Sequence, residues 1–308
     1  MNDFAKPTSS RAGLLAALAA SVALLIAALG APTASADLGT EFGLSNVDFT
    51  LSNEDGTAAT QAGSHAYEST AGFEVNREGE FYPLALYGDT KTVVFDLPAG
   101  FVGDSAPTPF CKTTEFSRPG TAAGQCAKET QIGMSDTLLL LEGFVPPFPF
   151  EDPLYMLTPP PGKVARFGFR VFDAFPIIVD VAISDEAPYH LVASSESIPT
   201  FVQLAGNTVK LWGNPYNAAH DAQRGGSVSL PEKPFLTLPT ACMGPQTVGW
   251  EGESWQNQGV FESGSFLTHD EAENPQGFTG CGKVPFDPRV SARPSSKAAA
   301  GGSGLDFD

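Results

Sequence analysis

Residues that carry chemistry are scarce in this chain. Four histidines and four cysteines are all it has among 308 residues. No two cysteines form the C-x-x-C pair that a zinc site or a thiol oxidoreductase needs, and no histidine is spaced to complete one. H-E-x-x-H, the Walker loop, the dinucleotide fingerprint and the EF-hand loop are all missing. The nucleophile elbow G-x-S-x-G is missing as well, since Gly264-Ser265-Phe266 and Gly302-Ser303-Gly304 lack its framing. No metal or cofactor is therefore expected. Basic residues are also short in supply, 17 Lys and Arg against 35 Asp and Glu, for a net charge of −18. Such a surface repels phosphate backbones and anionic lipid headgroups, which makes nucleic acid a poor partner. The acidic residues are scattered rather than gathered into a tail, as simple solubility requires.

Long apolar runs are lacking after Ala36. The single run, residues 14–29, follows Lys6 and Arg11, ends at the helix-breaking Pro32, and leads to Ala34-Ser35-Ala36 with small residues at the positions a signal peptidase reads. It falls short of a relaxed membrane span of about 20 residues, and the cleavage motif follows at once. Residues 1–36 therefore read as a secretory signal, with Asp37 as the mature start. No later segment is apolar enough for a transmembrane helix after cleavage. An exported chain with an even number of cysteines implies disulfides. Cys111, Cys126, Cys242 and Cys281 allow three pairings, of which closeness in sequence favours Cys111–Cys126 with Cys242–Cys281. Chain-entropy estimates give about 3 kcal/mol for the short loop and about 4 for the long one.

What the chain has in plenty is glycine (32), proline (26) and phenylalanine (23). Its apolar residues alternate with polar ones instead of following a helical period. Val47, Phe49 and Leu51 alternate with Asn46, Asp48 and Thr50, and Phe167, Phe169 and Val171 with Arg166, Gly168 and Arg170. Val179, Val181 and Ile183 do the same, as do Val209 and Leu211 against Thr208, Lys210 and Trp212. This is the pattern of half-buried antiparallel strands. Short strands between Gly, Pro and Asn turns predict an all-β antiparallel sandwich, built as two packed β units with long Pro/Gly-rich loops. Pro146, Pro147, Pro149, Pro153 and Pro159-Pro160-Pro161 argue against central strands, because proline cannot donate to a ladder. The expected organisation is thus an N-terminal β unit over 37–144, a proline-rich connection over 145–162, and a C-terminal β unit over 163–290. A flexible Ser/Ala/Gly-rich tail over 291–308 ends Leu305-Asp306-Phe307-Asp308, which reads as the start of a further domain, too short to pair by itself.

One loop gathers candidate functional residues: Trp212, His220, Asp221 and Arg224. These are the residue types of a base, its orienter and an anion clamp. Neighbours in extended chain point to opposite faces, however, so His220 and Asp221 do not readily converge, and an Asp221–Arg224 pair that orders the loop is the plainer reading. Glu251 and Glu253 share a strand face, as a glycosidase carboxylate pair would, but with no cleft in view they read as a solvated face. Trp212, Trp250 and Trp255 are the candidates for stacking on a sugar, set against core filling.

Several stretches resemble the N-terminal region of very large, repetitive, uncharacterised secreted proteins of high-GC Gram-positive bacteria. They include Ala62-Gly63-Ser64-His65 and the run Val94-Phe95-Asp96-Leu97-Pro98-Ala99-Gly100-Phe101-Val102-Gly103 leading to Cys111. Others are Cys126 with Gln131-Ile132-Gly133, Tyr155 with Pro159 to Gly162, and Ala165-Arg166-Phe167-Gly168-Phe169. The closest are Val209-Lys210-Leu211-Trp212-Gly213, His220-Asp221 with Arg224-Gly225, and Phe235-Leu236-Thr237-Leu238-Pro239-Thr240-Ala241-Cys242. Ala127 stands where the family pattern has proline. The resemblance implies kinship over most of the chain and no activity. It also implies continuation of Gly302-Ser303-Gly304-Leu305-Asp306 into further β domains. The expected function is a non-enzymatic extracellular or cell-surface structural and adhesin-like protein, binding a protein or glycan at the cell surface. A carbohydrate-binding module is the second expectation and a secreted hydrolase the third.

Overall fold

Alternation becomes strand at each place where it was read. The computed structural model describes residues 41–79, 85–118, 126–141, 147–201, 203–285, 291–296, 302 and 304–307; residues 1–36, read as a secretory signal, lie outside them. The strands are β1 (Leu44–Ser52), β2 (Glu68–Val75), β3 (Arg77–Glu78), β4 (Ala85–Leu86), β5 (Thr90–Asp96), β6 (Val102–Gly103), β7 (Gln131–Leu140), β8 (Phe148–Leu157) and β9 (Ala165–Val171). They continue with β10 (Phe175–Ile183), β11 (Leu191–Ser195), β12 (Gln203–Trp212), β13 (Leu236–Thr237), β14 (Thr247–Ser254), β15 (Phe261–Leu267), β16 (Ala292–Pro294) and β17 (Leu305–Phe307). Two single-turn helices, α1 (Thr113–Phe116) and α2 (Asp221–Arg224), sit in loops.

Eleven strands form one antiparallel sheet in the order β1-β2-β12-β7-β8-β9-β10-β11-β5-β14-β15. The all-β antiparallel class is as expected, but the division into two units is not. β12 from the second half lies between β2 and β7, and β5 from the first half lies between β11 and β14. Residues Leu38–Asp308 accordingly gather into one compact unit. The sheet curls until Gly252 of β14 meets Leu44 of β1. Alternate residues point into the enclosed space: Val93 and Phe95 from β5, Phe167 and Phe169 from β9, and Val209 and Leu211 from β12. Strand twist produces such closure once enough strands are paired in sequence around the sheet.

The proline-rich stretch departs furthest from expectation. It supplies β8, an interior strand between β7 and β9. Pro149 and Pro153 are paired with Leu138 and Met134 of β7, whereas β9 pairs only with Tyr155–Leu157, beyond both prolines. The missing N–H groups thus fall where β8 has a single paired neighbour, which is how an interior strand tolerates them. Pro146 lies outside the described residues. The terminal Leu305–Phe307, expected to be too short to pair, does pair, with Ala292–Pro294 in a small sheet of its own. Ser295 N donates to Gly304 O at 2.9 Å to close that hairpin.

The outward face is not uniformly solvated. Arg166 of β9 and Asp180 of β10 lie opposite each other and form a two-bonded ion pair at 2.7 Å, and Lys210 bridges from β12 to Asp136 of β7 at 2.7 Å. Elsewhere loops cover it. Cys111–Cys126 forms a disulfide, and α1 inside that loop sets Phe116 over Gly168 beside Leu157. Cys242–Cys281 is the second disulfide, so the sequence-local pairing holds. Ile183, read as an inward residue, is 54% exposed because β10 ends there and leaves the body.

Candidate functional site

The loop after β12 brings Trp212, His220 and Arg224 together and buries them. β12 ends at Trp212, and at the next residue, Gly213, a Cβ atom would fall 1.6 Å from the Ala66 carbonyl oxygen, so only glycine permits the approach. This holds Trp212 on the outward face but at 0% exposure, beneath the returning chain. Asn217 Oδ1 accepts from Ala219 N at 2.9 Å to open a turn of 3-10 helix over Ala218–His220, and α2 ends at Gly225 with φ 72°. The His220 ring, 2% exposed, stacks on Trp212 with centroids 4.3 Å apart, and Tyr67 packs 5.0 Å from it. Arg224 lies 5.4 Å over the Trp212 ring, donates from Nη1 to Asp221 Oδ1 at 2.8 Å, and donates from Nη2 to Pro215 O.

This arrangement orders a loop. Asp221 pairs with Arg224, so it does not orient His220 as a base. Burial foremost, and the Arg224 charge second, push His220 down to about 4, which keeps the ring neutral. His220 Nε2, Trp212 Nε1 and Arg224 Nε are buried without partners. Trp212 offers no open face to a sugar. Trp255 donates from Nε1 to Ile198 O at 2.8 Å under Lys91, and Trp250 lies against Gly264.

Glu253 is buried as well, a departure from the solvated face that was read. It accepts from Gly259 N at 2.7 Å, Thr92 Oγ1 at 2.8 Å and Lys91 Nζ at 3.0 Å. Those donors, Gly259 first, hold it below the usual carboxylate range, while Glu251 is exposed beside it. A glycosidase acid needs a raised carboxyl, and here the buried partner is held ionised. The remaining histidines anchor loops: His65 Nδ1 lies 3.0 Å from Leu236 O, His190 Nε2 3.1 Å from Asp96, and His269 Nε2 2.8 Å from Asp48. Among the described residues no cluster of three or more His, Cys, Asp or Glu could hold a metal ion.

The cavity is elsewhere. Inside the curled sheet lies a space of about 190 Å³, lined from β1, β2, β5, β7, β9, β10, β11 and β12, with Gly103 of β6 and Leu236 of β13. Phe, Val, Leu, Ile and Ala dominate its wall, and among the described residues no charged side chain lines it. Its polar positions are Ser69, Ser105, Thr137, Ser195 and Asn207. At one end Phe201, a lining residue, stacks on the exposed Phe175 with centroids 3.4 Å apart. The interior is thus apolar while the outer face carries ion pairs, the reverse of a transmembrane barrel with its polar lumen. Among the described residues no helix is long and apolar enough to cross a membrane. None of the singled-out loop residues lines this cavity. The alternation in β9 and β12 marked its wall, but periodicity alone does not distinguish a face that encloses space from one that packs. No protein-family model matches the chain, and neither a curated protein nor a solved structure matches it.

Proposed function

We propose that this is an extracellular, non-enzymatic binding protein that takes up a small apolar molecule inside its curled sheet. One observation carries the reading: an apolar-walled space of about 190 Å³ in the interior, lined by no charged side chain among the described residues. Protein cores pack with few voids larger than a water molecule. At about 24 cal/mol per Å³, an empty cavity of this size costs about 5 kcal/mol, comparable to the whole stability of many domains. An apolar cavity of about 150 Å³ stays dry and admits benzene, so this one has room for a somewhat larger hydrocarbon group. The reading keeps the expected non-enzymatic role outside the cytoplasm. It takes no support from a sugar-stacking tryptophan or from a catalytic His220, since both are packed away.

The test is extraction of the purified secreted protein with organic solvent, followed by mass spectrometry, together with calorimetric titration of small hydrocarbons. A stoichiometric extracted compound, or saturable uptake that Ala193→Phe abolishes by filling the lumen, is the expected result. The absence of both, with no extracted compound and no saturable uptake by the folded protein, would overturn the reading.

A further inference from the structure

We infer that the molecule held in the lumen is an uncharged alcohol, a hydrocarbon frame bearing a hydroxyl group that Asn207 receives. This rests on the binding role proposed above and adds the chemistry of the ligand. A carboxylate or ammonium group inside an apolar enclosure needs a countercharge or several hydrogen bonds, without which its burial costs several kcal/mol. Among the described residues no Asp, Glu, Lys, Arg or His lines the space, so none of them compensates an ion there.

Asn207 supplies the specific contact. Its Nδ2 donates to Ser135 Oγ at 2.9 Å, Thr137 Oγ1 at 3.0 Å and the Asp136 carbonyl oxygen at 3.3 Å. A carbonyl only accepts, so that third contact fixes which end of the amide faces β7. The amide is thereby locked against the β7 wall, and Oδ1 remains an acceptor that no described donor reaches. Asn207 as a whole is 8% exposed, so bulk water does not serve that oxygen freely. On β11, Ser195 is a second lining residue whose Oγ is buried without a partner. The fixed acceptor and the spare hydroxyl each sit in an apolar wall and each leave a deficit that a ligand hydroxyl placed against it fills. A pure hydrocarbon leaves both unpaired, and a carboxylate would set its charge against Oδ1.

The experiment titrates n-octanol, n-octane and octanoate into the intact protein at neutral pH. It is repeated with Asn207→Leu and with Ser195→Ala, a change that removes one oxygen and leaves the backbone alone. Octanol should bind and octanoate should bind at least about a hundredfold more weakly. Octanoate should recover as acid converts it to the neutral form. Asn207→Leu should weaken octanol about tenfold while leaving octane unchanged or tighter. Octanoate binding as tightly as octanol at neutral pH overturns the inference. So does an equal effect of Asn207→Leu on octanol and octane. Should Asn207→Leu fail to fold, the octanol-to-octanoate ratio on the unaltered protein and the octanol-specific loss in Ser195→Ala decide it. If none of the three compounds binds, the binding role itself fails; if octane binds and no preference for the alcohol appears, only the present inference fails.

Discussion

His220 offers the sharpest quantitative prediction, a loss of stability in mild acid that a single substitution removes. The ring is held neutral by burial and by Arg224, its pKa lowered from 6.5 to about 4. Above pH 6.5 the ring is neutral in both folded and unfolded chains, and its contribution is fully present. As pH falls from 6.5 toward 4 the unfolded chain takes up a proton that the folded chain refuses, so the contribution is lost at up to about 1.4 kcal/mol per pH unit and reaches about 3 kcal/mol in total. Asp152 works in the opposite sense over the same range. It is 9% exposed, with Oδ2 unpaired, and burial foremost, then Asp173, raises it from 3.8 to about 7 against the pull of Arg170. The measurement therefore belongs in an Asp152→Asn background. Urea unfolding followed by tryptophan fluorescence, above pH 6.5 and near pH 4, should show the acid loss in that background. His220→Phe, which keeps an aromatic ring against Trp212 and removes the titrating nitrogen, should flatten most of it. If the double variant keeps the full acid loss, His220 is not its source and the buried neutral ring is the wrong account.

Asp152→Asn should by itself stabilise the protein above pH 7, by up to about 4 kcal/mol, because it removes a carboxylate that ionises in a buried place. The gain should shrink as pH falls and vanish below 3.8, where both states of the natural residue are protonated; a gain independent of pH would show that the carboxyl is not perturbed. Gly213→Ala forces its new methyl group onto the Ala66 carbonyl oxygen, a backbone atom that cannot swing aside. It should cost at least about 3 kcal/mol, beyond the ordinary range for a surface loop, and thermal unfolding monitored by circular dichroism checks it.

The sequence by itself determined that the alternating stretches in β1, β9, β10 and β12 are strands, because a side-chain period of two is a local property. Phe167, Phe169 and Val171 on β9, and Val209 and Leu211 on β12, point inward as their alternation requires. It also favoured the disulfide pairing found, since Cys111 and Cys126 are 15 residues apart and Cys242 and Cys281 are 39 apart. The Asp221–Arg224 pair was legible for the same local reason, three residues apart on one helical turn. Neighbourhood within the sheet was not legible. Nothing in β5 or β12 announces that each inserts between strands of the other half of the chain, because strand pairing is a contact between residues far apart in sequence. The prolines of β8 misled for a related reason: their cost depends on which edge of the strand is paired, and only the whole sheet shows that β9 stops short of them. Outward parity likewise did not mean solvent for Trp212 or Arg170, since covering loops bury both. The cavity and its Asn207 acceptor belong wholly to the tertiary structure, because such a space exists only once strands from both halves of the chain have curled around it.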